Sequence, residues 1–82
     1  MIKIVFFAAL REQLNCSQLS LPANGITTVN QLKSALIEHQ AIWQPYIENQ
    51  SLLSAVNHQM VNGEHMIKAG DEVAFFPPVT GG

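Results

Sequence analysis

The sequence predicts an α+β fold of two layers, a mixed sheet with one main helix packed on one face. Three observations predict it. Segments rich in β-branched and aromatic residues stand at both ends of the chain, from Ile2 to Phe7 and from Glu72 to Phe76. A single long stretch in between carries apolar residues at helical spacing, and one helix can cover only one face of a sheet. The chain is also short: 82 residues, 48% of them hydrophobic, supply one compact core and are too few for two domains.

Taken in order, Ile2 to Phe7 is apolar on one alternating set (Ile2, Ile4, Phe6) and largely so on the other (Lys3, Val5, Phe7), which predicts a first strand. Ala8 to Leu14 favours a short helix. Ser17 to Leu21 then alternates polar with apolar before Pro22 and Gly25 interrupt, giving a second strand. Thr28 followed by Gln31 matches a capping box, and Val29, Leu32, Ala35 and Leu36 line one face of a helix over roughly residues 28 to 39. Ile42, Trp43, Tyr46 and Ile47 surround Pro45, which breaks a continuing helix and leaves a second, short apolar turn. Leu52 to Val56 predicts a third strand, and Gln59 to Val61 a fourth ending at Asn62-Gly63. Glu72 to Phe76 follows Gly70-Asp71 as the last.

The order is strand, strand, helix, strands, with no linker or repeat between them. The ubiquitin-like β-grasp is the best-known fold with this order. Side-chain parity adds an expectation about function. If Ile2, Ile4 and Phe6 face the helix, Val5 and Phe7 face away, and the adjacent pair Phe75-Phe76 places one ring on each side of the sheet. The face opposite the helix is then expected to expose an apolar patch including Phe7, Met60 and Phe76, and such a patch marks a partner surface. The alternative for each of the three is ordinary core packing.

Composition excludes several classes. Four basic and six acidic residues give a net charge of −2 with no basic cluster, so no phosphate-neutralising face for nucleic acid is expected. The apolar run from Ile4 to Leu10 is far shorter than the ~20 residues that cross a bilayer, and Arg11-Glu12 interrupts it as no signal peptide would, so no membrane association is expected. Cys16 is the only cysteine, which fits a reducing cytoplasm and reads as an inert thiol. His39, His58 and His65 are too widely spaced for a metal site and read as surface or turn residues. No metal and no stably bound cofactor is expected. Arg11, Asp71 and Glu72 read as solvated turn residues without an assigned role.

The most informative segment is Phe75-Phe76-Pro77-Pro78-Val79-Thr80-Gly81-Gly82. Pro77 and Pro78 lack N–H donors and favour extended backbone, so they end the strand and direct the chain outward as a stem. Val79 to Gly82 can reach roughly 13 Å at about 3.3 Å per residue, and glycines without Cβ let backbone enter a narrow channel. A flexible tail from about residue 77 to 82 is therefore expected on a single domain spanning residues 1 to 82.

This tail, with Gly70-Asp71-Glu72-Val73 before it and Met1 to Phe7 at the start, closely resembles the small, sulfur-carrying subunits of molybdopterin synthases. The resemblance implies a ubiquitin-like carrier that is no enzyme by itself. The Gly82 carboxylate would be adenylated by an E1-like enzyme using ATP, which the partner handles, and sulfur from a persulfide protein would displace AMP to leave a thiocarboxylate. The loaded tail, Pro77 to Gly82, would insert into the large subunit of a heterotetramer of two small and two large subunits. There its sulfur would pass to cyclic pyranopterin monophosphate to build the molybdopterin dithiolene. The chain has no glycine-rich phosphate loop with which to activate itself.

Three other functions compete. The sulfur carrier of thiazole synthesis shares the Gly-Gly end, but the Phe-Phe-Pro-Pro stem argues against it. A ubiquitin-like modifier would join Gly82 to lysines of target proteins and accumulate as larger conjugates. A plain interaction module would keep working without its two terminal glycines.

Overall fold

The computed structural model describes residues 1–78. Its elements are β1 (Ile2–Phe6), α1 (Ala8–Leu14), β2 (Gln18–Leu21), α2 (Val29–His39), a 3-10 turn (Ala41–Trp43), α3 (Gln44–Ile47), β3 (Leu53–Val56), β4 (Gln59–Val61) and β5 (Glu72–Phe76). Every segment expected from the sequence is present. The second and third strands each begin one residue later than expected, since their ladders start at Gln18 and Leu53.

The strands form one five-stranded sheet in the order β2-β1-β5-β3-β4. β1 and β5 run parallel at its centre, with Ile4 opposite Val73 and Phe6 opposite Phe75. The remaining pairs are antiparallel. This is the β-grasp arrangement, in which the two ends of the chain meet in the middle of the sheet.

Parity sorts the side chains as alternation requires. Ile2, Ile4, Phe6, Val73 and Phe75 are fully buried against the helices, while Phe7 is 47% exposed and Phe76 is partly exposed. The core is one cluster: those strand residues meet Leu10 and Leu14 of α1, Val29, Leu32 and Leu36 of α2, Trp43, and Ile47 of α3. The cover is therefore broader than one main helix, since α1 and α3 add buried residues to the same layer. Phe6 is the hinge of this packing, edge-to-face with Trp43 at 5.5 Å and stacked on Phe75 at 6.3 Å.

α2 begins where the capping pattern places it. Thr28 Oγ1 accepts the Gln31 N–H at 3.2 Å, but the returning Gln31 Oε1 accepts from the Thr27 N–H rather than from the cap residue itself. The next orphan donors of the helix are met from the β4–β5 loop: Val29 N–H donates to His65 O, and Asn30 N–H to Gly63 O at 2.8 Å. The loop is thereby fastened to the helix end. At the other junction, Ala8 adopts a left-handed backbone with φ 56°, an unusual choice for a residue with a Cβ, and turns the chain from β1 into α1.

Candidate functional site: the outer sheet face and the tail stem

The face of the sheet turned away from the helices is organised in rows by the strand register. Met60 of β4 lies opposite Ala55 of β3, which lies opposite Ala74 of β5, which lies opposite Val5 of β1. Beside this row, Leu53 pairs with Phe76. Phe7 follows Phe6, the partner of Phe75, and its N–H donates to Phe75 O at 3.1 Å, which brings it level with Phe76 in the parallel register. On the other flank Glu72 pairs with Lys3, and Lys3 with Ser20.

The three residues expected on this face are thus brought onto it. Met60 is 60% exposed, and Phe7 and Phe76 border a depression of about 180 Å³ with Ala55, Ala74, His58 and Glu72. Apolar side chains thus share this face with Glu72 and His58 at its edge. Sequence reading did not find its floor, because Ala55 and Ala74 are too small to attract notice. Their signal was parity: Ala74 shares the side of Phe76, and Ala55 the side of Leu53.

Asp71 corrects the reading as a solvated turn residue, while Glu72 opens the last strand as expected. Glu72 is a strand residue, its carboxylate 3.6 Å from His58 Nε2 and 3.9 Å from Lys3 Nζ. Asp71 is buried, and its carboxylate accepts the Lys68 backbone N–H at 2.9 Å and the Asn57 side-chain N–H at 3.1 Å. These hydrogen bonds, that of Lys68 first, hold its carboxyl below the ordinary range against the opposing effect of burial. Asn57 completes the knot by accepting the Glu72 N–H through Oδ1. The β3–β4 turn and the start of β5 are so locked together, which seats β5 in register below the tail.

Arg11 is exposed on α1, and His39, His58 and His65 are exposed as expected. Cys16 is partly buried and its Sγ donates to Gln18 O at 3.4 Å. Among the described residues no group of three or more His, Cys, Asp or Glu could hold a metal ion, and no helix is long and apolar enough to cross a membrane.

The stem leaves the far side of the same strand. Pro77 and Pro78 border a groove of about 340 Å³ with Leu10 and Gln13 of α1, Pro45 and Tyr46 of α3, Asn49 and Leu52. Val79, Thr80, Gly81 and Gly82 lie outside the described residues.

Residues 4–82 match the model of the ThiS family. The chain belongs to the ThiS family. Within that family it is 42% identical, over all 82 residues of both chains, to the molybdopterin synthase sulfur carrier subunit of Escherichia coli (strain K12). The ThiS-family fold is seen again in SAMP1 from Haloferax volcanii, with a TM-score of 0.83 at 24% identity over 99% of this chain and 98% of that one. It is seen too in a complex of subunits 1 and 2 of the molybdopterin-converting factor from Helicobacter pylori 26695. There the TM-score is 0.68 at 22% identity, over 99% of this chain and 97% of that one. At these identities the two structures establish the β-grasp fold alone.

Proposed function

We propose that this chain is the sulfur carrier subunit of a molybdopterin synthase, acting in molybdenum cofactor biosynthesis. The observation that carries the reading is the 42% identity along the full length of the Escherichia coli sulfur carrier subunit. The Phe-Phe-Pro-Pro-Val-Thr-Gly-Gly ending supports it, as does an exposed apolar face on the side of the sheet away from the helices.

In the proposed cycle the Gly82 carboxylate attacks ATP on an E1-like enzyme and pyrophosphate leaves. A carboxylate is a poor electrophile until its oxygen is part of a phosphate-linked leaving group. The terminal sulfur of a persulfide then attacks the acyl carbon, AMP departs, and thiol reduction of the S–S bond leaves a thiocarboxylate. The large subunit covers the outer face at Phe7, Met60 and Phe76 and receives Pro77, Pro78, Val79, Thr80, Gly81 and Gly82 in a channel narrow enough to favour residues without bulk. There the sulfur passes to cyclic pyranopterin monophosphate. Two carriers on a central pair of large subunits make the heterotetramer, ATP is bound by the activating enzyme, and the cycle runs in the cytoplasm. The carrier supplies no catalytic group beyond its own terminus.

Intact-mass measurement tests the reading. The chain is incubated with ATP, an E1-like enzyme and a persulfide source, and exchange of one terminal oxygen for sulfur is expected, followed by molybdopterin formation when the large subunit is added. A chain extended by one residue after Gly82 should fold and stay unloaded. Loading of the extended chain with product at the wild-type rate would overturn the assignment of Gly82.

A further inference from the structure

The depression on the outer face combines features that a purely apolar contact would not use. Its floor is Ala55 and Ala74, its walls include the rings of Phe7 and Phe76, and at one end stand Glu72 and the exposed His58. The Glu72 side chain is 35% exposed. Among the described residues its carboxylate accepts no hydrogen bond, and its neighbours Lys3 and His58 stay beyond hydrogen-bonding distance at 3.9 and 3.6 Å, their own side chains well in water.

A partner that covers Phe7 and Phe76 also removes Glu72 from water, because all three border one depression. Burying a carboxylate is unfavourable unless it is closely paired, and an apolar insert would leave it only Lys3 and His58, both beyond hydrogen-bonding distance. A long cationic side chain resolves the conflict. Its methylene stem lies over the alanine floor, its charged head meets the carboxylate, and aromatic walls favour a cation beside them. A planar guanidinium, which can stack on a ring and pair with both carboxylate oxygens, fits better than an ammonium.

We infer that this depression is a socket for a cationic side chain, an arginine in preference to a lysine, presented by the docked large subunit, with Glu72 as its counter-charge. The inference rests on the docking role proposed above. Lys3 and His58 are the other groups facing Glu72, and Lys3 competes for the carboxylate when the partner is absent.

Calorimetric titration of the molybdopterin synthase large subunit of the same organism, at low and high salt, tests the socket with three variants. Glu72→Gln keeps the size and the strand backbone and is expected to weaken binding roughly tenfold and to flatten its salt dependence. Lys3→Gln is expected to tighten binding, because it frees the carboxylate for the incoming cation. Unchanged affinity and salt dependence for Glu72→Gln would overturn the socket, as would a Lys3→Gln loss as large as that of Glu72→Gln, which would make Lys3 the counter-charge. Phe76→Asp separates the two readings: if it binds as the wild type does, the outer face is no docking surface and the socket falls with it. If Phe76→Asp fails while Glu72→Gln is unaffected, docking stands and only the socket is lost.

Discussion

Asn57 and Asp71, 14 residues apart in the chain, are joined by a 3.1 Å hydrogen bond from the Asn57 side-chain N–H to the Asp71 carboxylate. Asn57 sits in the β3–β4 turn with a left-handed backbone of φ 50°, a conformation asparagine tolerates better than most residues. Its amide is placed there to bridge two strands: Nδ2 reaches Asp71, and Oδ1 takes the Glu72 N–H at 3.0 Å. Asp71 in turn closes the Lys68–Asp71 loop through the Lys68 N–H.

Removing this carboxylate leaves two donors without an acceptor in a partly buried place. Asp71→Ala is expected to lower stability by about 1–3 kcal/mol in denaturant unfolding. The pH dependence has a definite sign. The Asp71 carboxyl is held below its ordinary value of 3.8 by the Lys68 and Asn57 hydrogen bonds. Its contribution is therefore complete above that value and is lost as the pH falls through the lowered folded value. Thermal unfolding of the wild type should show this acid limb, and Asp71→Asn should flatten it.

Thr28→Ala tests the cap of α2. The substitution removes the acceptor of the Gln31 N–H, and a loss of about 1 kcal/mol is expected in unfolding experiments. The Val29 and Asn30 donors keep their partners in the β4–β5 loop, so the helix should persist in circular dichroism.

Phe76→Asp sets a charge where the proposed contact buries an aromatic ring. Binding to the large subunit should weaken by roughly tenfold or more. Stability should change far less than for Phe75→Asp, because the Phe75 ring is fully buried in the core while that of Phe76 is partly exposed on the other face.

Gly81→Val examines the proposed tail channel. A β-branched side chain restricts the backbone and crowds a passage fitted to glycine, and sulfur loading measured by intact mass should slow about 100-fold. The sequence places Gly81 in the tail that follows Pro77-Pro78, so the unfolding midpoint is expected to stay at the wild-type value.

Local chemistry alone made much of this protein legible. Alternation in Ile2 to Phe7 and in Glu72 to Phe76 located the terminal strands and put the rings of Phe75-Phe76 on opposite faces, of which that of Phe75 is the buried one, since successive side chains on a strand must point to opposite faces. Thr28 and the Val29, Leu32, Leu36 stripe located α2, since capping and helical periodicity are properties of neighbours in the chain. The tail motif and the family it belongs to were likewise written in consecutive residues. Tertiary structure decided what depends on residues distant in sequence. It drew Asp71 out of the class of solvated turns, because its partner Asn57 arrives from the β3–β4 turn. It set Ala55 beside Ala74 as the floor between Phe7 and Phe76, with Glu72 at its edge, because strand register determines which small side chains share a face. No local pattern encodes such a meeting, for it exists only after the two ends of the chain have paired at the centre of the sheet.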